Sequence, residues 1–274
     1  MKDLIIGCST RYTWDQLKYW VNSINRSGFK GDKVLIVFEC DKKTVKLLED
    51  NNIIVVPVDE SYSYRSAIPV HVERFIHIYH YLSQNKYRYV VTTDVKDVVF
   101  QNDPIRWIEE NIGDKQLIVG SESLKYKDEP WGDDNLKSTF GEYIYEEYKN
   151  ETIYNVGTFA GTYQAVKDMA MMLFIMSINR PIPIVDQATF NVMLNCEPWK
   201  STTKYCTSED GWAAQLGTTA DPNKIAYFEP NLLEPKPILH QDYVTTSTGK
   251  EFVIVHQYDR IPNLKPHIEK KFSK

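Results

Sequence analysis

Cysteine is scarce in this sequence: four in 274 residues, Cys8, Cys40, Cys196 and Cys206, with no C-x-x-C pair among them. That excludes a disulfide scaffold and a thiolate zinc centre. Free thiols are expected, and only Cys196 and Cys206 lie close enough in sequence for a local bridge. Long apolar runs are missing as well. The longest block, Met169–Met176, is bounded by Lys167, Asp168 and Asn179, and it falls well short of the ~20 residues that span a bilayer. No secretory signal precedes the first strand-like run, so a soluble chain in a cytoplasmic setting is expected. Positive charge is not in excess: 32 Lys and Arg against 37 Asp and Glu give a formal charge of -5, which opposes nonspecific attraction to nucleic acid and anionic lipid. Internal repeats and low-complexity stretches are lacking too.

What is present is the composition of a folded protein, 42% apolar and 25% charged, with enough chain to bury a large core without a staple. Leu4–Gly7 reads as a short buried strand. Trp14, Leu17, Trp20, Val21 and Ile24 then mark one helix face. The unit repeats as Val34–Phe38, Thr44–Asp50 and Ile53–Val58, and again as a helical stripe after Pro69 (Val72, Phe75, Ile76, Tyr79, Leu82) followed by Tyr89–Thr93. Continuous β-branched runs alternating with helices imply an α/β fold with a parallel sheet covered on both faces. A strand at Leu117–Gly120, a helix at Leu136–Tyr148, a strand at Gly157–Ala160 and an apolar helix at Thr162–Ile178 continue the pattern. From Asn195 to His240 the chain is rich in Pro, Gly, Asn and Thr and reads as functional loops. Phe252–Val255 is a last strand, and Asn263–Lys274 reads as a polar surface tail.

The strand Tyr89–Thr93 ends in acid, at Asp94 and Asp97. Ligands of open α/β sheets bind beyond the carboxyl ends of the strands, so both carboxylates would face a crevice where a divalent cation and a diphosphate could meet. Hard oxygen donors suit Mg or Mn. The alternative is that the acids merely cap a turn or open a helix.

With Tyr154-Asn155-Val156-Gly157, Asp186-Gln187-Ala188-Thr189-Phe190-Asn191 and Val255-His256 following in order, and Arg74 in the helix before the acidic strand, the sequence resembles the GT-A nucleotide-sugar glycosyltransferases, in particular the glycogenin-like family 8 group. The matching segments are a D-x-D-like strand end, an N-x-G, a D-Q-x-x-x-N and a late-strand histidine, scattered over roughly residues 4 to 266. The resemblance implies a GT-A-like single domain with a mostly parallel, Rossmann-like sheet, residues 1–104 forming a nucleotide-binding half and 105–274 an acceptor-binding half. It also implies a metal site of Asp94, Asp97 and His256. The pattern departs at one place: the third position of D-x-D is Lys96, and the second acid is displaced to Asp97. In an extended strand Asp94 and Lys96 would share a face while Asp97 pointed away, unless the strand turns there. Either the three residues hold a cation, the reading preferred here, or Lys96 supplies the positive charge itself.

Further contacts follow from the same resemblance. Arg74, Arg260 and Lys265 are expected on the diphosphate, Ser9, Thr10, Arg11 and Tyr12 around the nucleoside, and Asn155 and Gly157 beside the donor. Asp186 and Gln187 are expected nearest the anomeric carbon, with Asp186 orienting or deprotonating the acceptor hydroxyl; retention of configuration is implied. Trp131, Asp210 and Trp212, set among acids in loops, are expected on the sugar or the acceptor. His71, His77 and His80 lie on one expected helix, where His77 and His80 are read as having no acidic partner at ligand spacing, and the methionines of 169–176 read as core packing. The expected activity is transfer of a sugar from a nucleotide-diphosphate donor, typically uridine diphosphate, to a hydroxyl of a glycan or other acceptor, with Mn or Mg. A sugar-phosphate nucleotidyltransferase would need a G-x-G-x-R loop where Cys8-Ser9-Thr10-Arg11 stands. A catalytically degenerate carbohydrate-binding protein is kept open by Lys96. Oligomeric state is not encoded in these patterns.

Overall fold

The computed structural model describes residues 1–59 and 68–274. Its first part alternates strand and helix: β1 (Leu4–Ser9), α1 (Trp14–Arg26), β2 (Asp32–Val37), α2 (Lys42–Asp50), β3 (Ile54–Pro57), α3 (Val70–Gln84), β4 (Tyr89–Thr93), β5 (Val98–Phe100) and α4 (Pro104–Asn111). Next come β6 (Leu117–Lys125), α5 (Pro130–Tyr148), β7 (Thr152–Tyr154), β8 (Thr158–Thr162), α6 (Tyr163–Ser177) and α7 (Asp186–Leu194). The remainder holds α8 (Trp199–Thr202), β9 (Thr203–Cys206), β10 (Ala213–Gln215), α9 (Leu216–Thr219), α10 (Ile225–Phe228), β11 (Ile238–Leu239), β12 (Val244–Thr245), β13 (Ile254–His256) and α11 (Lys265–Lys271).

The main sheet runs β3-β2-β1-β4-β8-β6-β7, with β9 also paired to β6. β1 to β4 are parallel neighbours, and β8 lies antiparallel between β4 and β6. The period of two sorts each strand between the faces. Leu4 and Ile6 join the cluster under α3, α6 and α7, whereas Ile5 joins the one under α1 and α4. Helix starts follow their caps: the Asp41 carboxylate accepts from Thr44 N at 2.9 Å to open α2, and Asp103 accepts from Ile105 N at 2.9 Å to open α4.

A second, small sheet, β10-β13-β5, positions the chemistry. β13 runs antiparallel to β5, setting His256 against Val98, and parallel to β10, setting His256 against Gln215. Only β13 of these three was legible as a strand, as part of the four-residue apolar run Phe252–Val255; Val98–Phe100 and Ala213–Gln215 are too short to display a period.

Three other expectations change. The helix expected from Leu136 begins at Pro130, capped by Glu129 accepting from Gly132 N, and is interrupted at Gly141 (φ 79°). The Asn195–His240 stretch carries short strands and helices rather than loop alone. The polar tail is α11, whose Ile268, with the adjoining Phe272, is buried against Leu264 and Tyr258. Cys196 is exposed, Cys206 is buried, and both are free thiols. Among the described residues no helix is long and apolar enough to cross a membrane.

Candidate active site

β4 ends at Thr93, pinned by the Trp20 indole N–H at 2.9 Å on Thr93 Oγ1, and the chain turns through 94–97 before β5. The turn brings positions three apart together. Asp94 and Asp97 converge with His256, their ligand atoms all within 4.8 Å of one another. Asp94 is held from behind, where its N–H donates to Gly157 O at 2.9 Å. Gly157 is required there, since a Cβ would stand 2.6 Å from Asp94 Oδ2.

His256 is buried, and its Nδ1 lies 2.8 Å from Gln215 Oε1. Gln215 donates its amide N–H to Thr158 Oγ1 at 2.7 Å, which turns its carbonyl to His256 and assigns Nδ1 as the donor. Nε2 is thereby aimed at Asp94 Oδ2 (3.6 Å) and Asp97 Oδ1 (3.7 Å). Burial disfavours charge on the imidazole, but Asp97 and Asp94 outweigh it and raise its pKa. Burial likewise pushes the Asp97 carboxyl up, with Asp94 adding to the rise and His256 opposing it. At Asp94 burial is overcome by Arg74 and His256, which hold the carboxyl well below the usual carboxylate range.

Arg74, on α3, bridges two acids: Nη1 donates to Asp94 Oδ1 and Nη2 to Asp186 Oδ2 at 3.0 Å. Its Nε is buried without a hydrogen-bond partner among the described residues. Asp186 opens α7, and the next residue, Gln187, is fully engaged: Oε1 accepts from Val156 N at 2.9 Å, while Nε2 donates to Glu122 Oε1 at 2.9 Å and to Tyr154 O at 3.2 Å. Asn155 Oδ1 accepts from Gly157 N at 2.7 Å, and its Nδ2 donates to Glu122 Oε1 at 2.7 Å.

Two cavities meet at this cluster. The outer one, about 420 Å³, is walled by Cys8, Thr10, Tyr12 and Lys96 at the carboxyl ends of β1 and β4. The inner one, about 330 Å³, is walled by Glu122, Trp131, Asn155, Asp186, Gln187 and Thr218. Arg74, Asp94, His71 and Arg260 border both.

No protein-family model and no curated protein matches the sequence. Among solved structures the chain is similar to core-mannan synthase A from Aspergillus fumigatus, in its Mn/GDP form, at 9% identity and a TM-score of 0.48, covering 75% of this chain and 72% of that one.

Of the residues expected at the site, Thr10, Tyr12, Arg74, Asp94, Lys96, Asp97, Trp131, Asn155, Gly157, Asp186, Gln187, His256 and Arg260 border the two cavities. Others do not. Arg11 turns away at φ 58° to pair with Glu39, and the buried Ser9 hydroxyl has no hydrogen-bond partner among the described residues. Lys265 faces Glu269 on α11 at 3.9 Å. Asp210 caps its own turn, accepting from Thr207 N at 2.8 Å and Thr207 Oγ1 at 2.9 Å. Trp212 is wholly buried, its indole N–H on Thr158 O at 3.0 Å; it anchors the core and cannot touch a sugar. Gln187, with every amide atom occupied, positions its neighbours. Sequence reasoning missed Glu122, Gln215 and Gly217, where a Cβ would lie 2.0 Å from Gln257 Oε1. Glu122 is the one acid in β6, between Ser121 and Ser123 just past the apolar run Leu117–Val119, which is the signal that could have marked it.

Proposed function

We propose that the chain is a GT-A-type glycosyltransferase moving a sugar from a nucleotide-diphosphate donor to an acceptor hydroxyl, with a divalent cation at Asp94, Asp97 and His256. The observation that carries this is the convergence of those three residues, from β4's end and β13, at the seam between two cavities. Two carboxylates and one imidazole suit Mn or Mg. The Gln215 hydrogen bond behind His256 is the outer-shell contact that fixes a ligating tautomer. When bound, such an ion supplies positive charge against the diphosphate.

This chain's residues account for the remaining requirements. Departure of a nucleoside diphosphate builds negative charge, and stabilising that charge is the main catalytic task. Arg74 holds Asp94 and Asp186 in fixed orientation and adds its own charge to the seam. Arg260 borders both cavities and is assigned to the phosphate oxygens, which a guanidinium grips in bidentate fashion. The nucleoside is assigned to the outer cavity, at the strand ends beside Thr10 and Tyr12. The sugar is assigned to the inner cavity, where acids, amides and the Trp131 indole match its hydroxyls and ring face. Asp186 orients the acceptor hydroxyl or takes its proton. The division into a nucleotide half, 1–104, and an acceptor half, 105–274, is retained with one amendment: the cation site draws on both. Uridine diphosphate donors and retention are the outcomes implied by the family resemblance.

Release of nucleoside diphosphate from uridine- and guanosine-linked sugars, with Mn and with EDTA, tests the reading. Turnover with one donor, abolished by EDTA and by Asp94→Ala, is expected. Turnover undiminished in that variant would remove the assignment, and NMR of the product's anomeric proton reads the stereochemistry.

A further inference from the structure

One carboxylate in the inner cavity is given no individual role in the scheme above. Glu122 lies within β6, half-buried, with its backbone carbonyl accepting from Thr218 Oγ1 at 2.8 Å. Its Oε1 receives two amide donors, Asn155 Nδ2 at 2.7 Å and Gln187 Nε2 at 2.9 Å. Both amides are locked in that sense, since Asn155 Oδ1 accepts from Gly157 N and Gln187 Oε1 accepts from Val156 N. The carboxylate is therefore fixed by one oxygen. Among the described residues no donor reaches Oε2, and the side chain borders the inner cavity.

Two amide donors need only a neutral carbonyl to satisfy them, and a buried carboxylate costs more to desolvate than an amide. A carboxylate saturated on one oxygen and open on the other is an acceptor for O–H groups brought in by a ligand. Burial pushes its carboxyl up, the Asn155 hydrogen bond opposing.

Resting on the glycosyltransferase reading, we infer that Glu122 is a specificity-determining residue whose Oε2 accepts hydrogen bonds from hydroxyls of the sugar carried by the nucleotide. It thereby favours a neutral hexosyl group over a hexuronosyl group. The second part follows from charge. In a cavity of about 330 Å³ a sugar carboxylate is held within a few ångströms of Glu122, and like charges brought together in a partly desolvated site repel strongly.

The full chain, wild type and Glu122→Gln, is titrated calorimetrically with Mn plus uridine or guanosine diphosphate, then with UDP-glucose, UDP-galactose, UDP-N-acetylglucosamine, GDP-mannose and UDP-glucuronate. Glutamine keeps an oxygen for the two amides and turns the open acceptor into a donor. Diphosphate affinity is expected to stay within about twofold, while affinity for the preferred neutral donor falls about ten- to hundredfold and the gap to UDP-glucuronate narrows. Glu122→Asp, which keeps the charge but withdraws it by one methylene, is expected to fall between the two. Equal losses for diphosphate and donor, an unchanged gap, or a wild type that binds diphosphate but none of the sugar nucleotides overturns the inference. A wild type that binds no nucleoside diphosphate removes the transferase reading itself.

Discussion

Gln215 illustrates how one side chain settles what another can do. By spending its N–H on Thr158 and offering its carbonyl to His256 Nδ1, it leaves Nε2 as the nitrogen with a lone pair. Outer-shell partners of this kind are typically worth 10–100-fold in metal affinity, so Gln215→Leu is expected to weaken Mn binding, read by electron paramagnetic resonance, by at least about tenfold. Protons compete for the same nitrogen. Asp97 and Asp94 raise the His256 pKa above 6.5 despite burial, and only the neutral ring can ligate. Mn affinity is therefore expected to fall as pH drops through that raised value and to level off above it; calorimetry between pH 8 and pH 6 checks the sign. Gly157→Ala would push a methyl group into Asp94, and loss of Mn binding with a native circular dichroism spectrum is expected. The thiols sort by burial. That of Cys8, bordering the outer cavity, is pushed up to about 12 by burial, while Cys196 is exposed. Iodoacetamide near neutral pH is expected to label Cys196 and spare Cys8 and Cys206, as peptide mass mapping will show.

At the scale of elements, what was legible in the sequence depended on length and burial. β4 was readable to the residue, because Tyr89–Thr93 is a β-branched run buried on both faces and bounded by acid. β5, β7 and β10 were not, since three residues carry no period and, unlike β13, they do not continue a longer apolar run read as a strand. α11 was misread as tail because its polar residues outnumber the buried ones, and Ile268 and Phe272 are the two that matter. The backbone carbonyl of Phe272 also accepts from Asn22 Nδ2 at 2.9 Å, tying the segment to α1. Phe272→Ala removes a ring that is only 2% exposed, and a loss of about 3–5 kcal/mol is expected for a buried phenylalanine, measured by urea denaturation. The site residues divide in the same way. Asp94 was found because an acid closing an apolar strand is conspicuous, whereas Arg74, within α3, and His256 were found through the family resemblance. Trp212 and Asp210 were misassigned because an indole beside acids has the same composition whether it grips a sugar or closes a turn.

Across the whole molecule, the turn after β4 resolves the conflict that an extended strand would have created between Asp94 and Asp97. It also leaves Lys96 exposed on the outer cavity wall rather than among the ligands. Removing Asp94 is not a neutral act for the fold, because among the described residues Arg74 would keep only Asp186 as an ion-pair partner. Asp94→Ala is accordingly expected to lose activity and to melt at a lower temperature than wild type by differential scanning calorimetry. The order β3-β2-β1-β4-β8-β6-β7 was only partly legible: the parallel run through β4 followed from alternating strands and helices, whereas the antiparallel insertion of β8 is a long-range pairing that no local pattern encodes.

His256 reaches Asp97 only by pairing β13 with β5, two strands far apart along the chain. During synthesis the first two ligands therefore emerge long before the third, and a ribosome-tethered chain stalled ahead of Ile254 holds a half-built cluster. Under the proposed assignment, uptake of a divalent cation would register when β13 has slotted home rather than when the main sheet first forms.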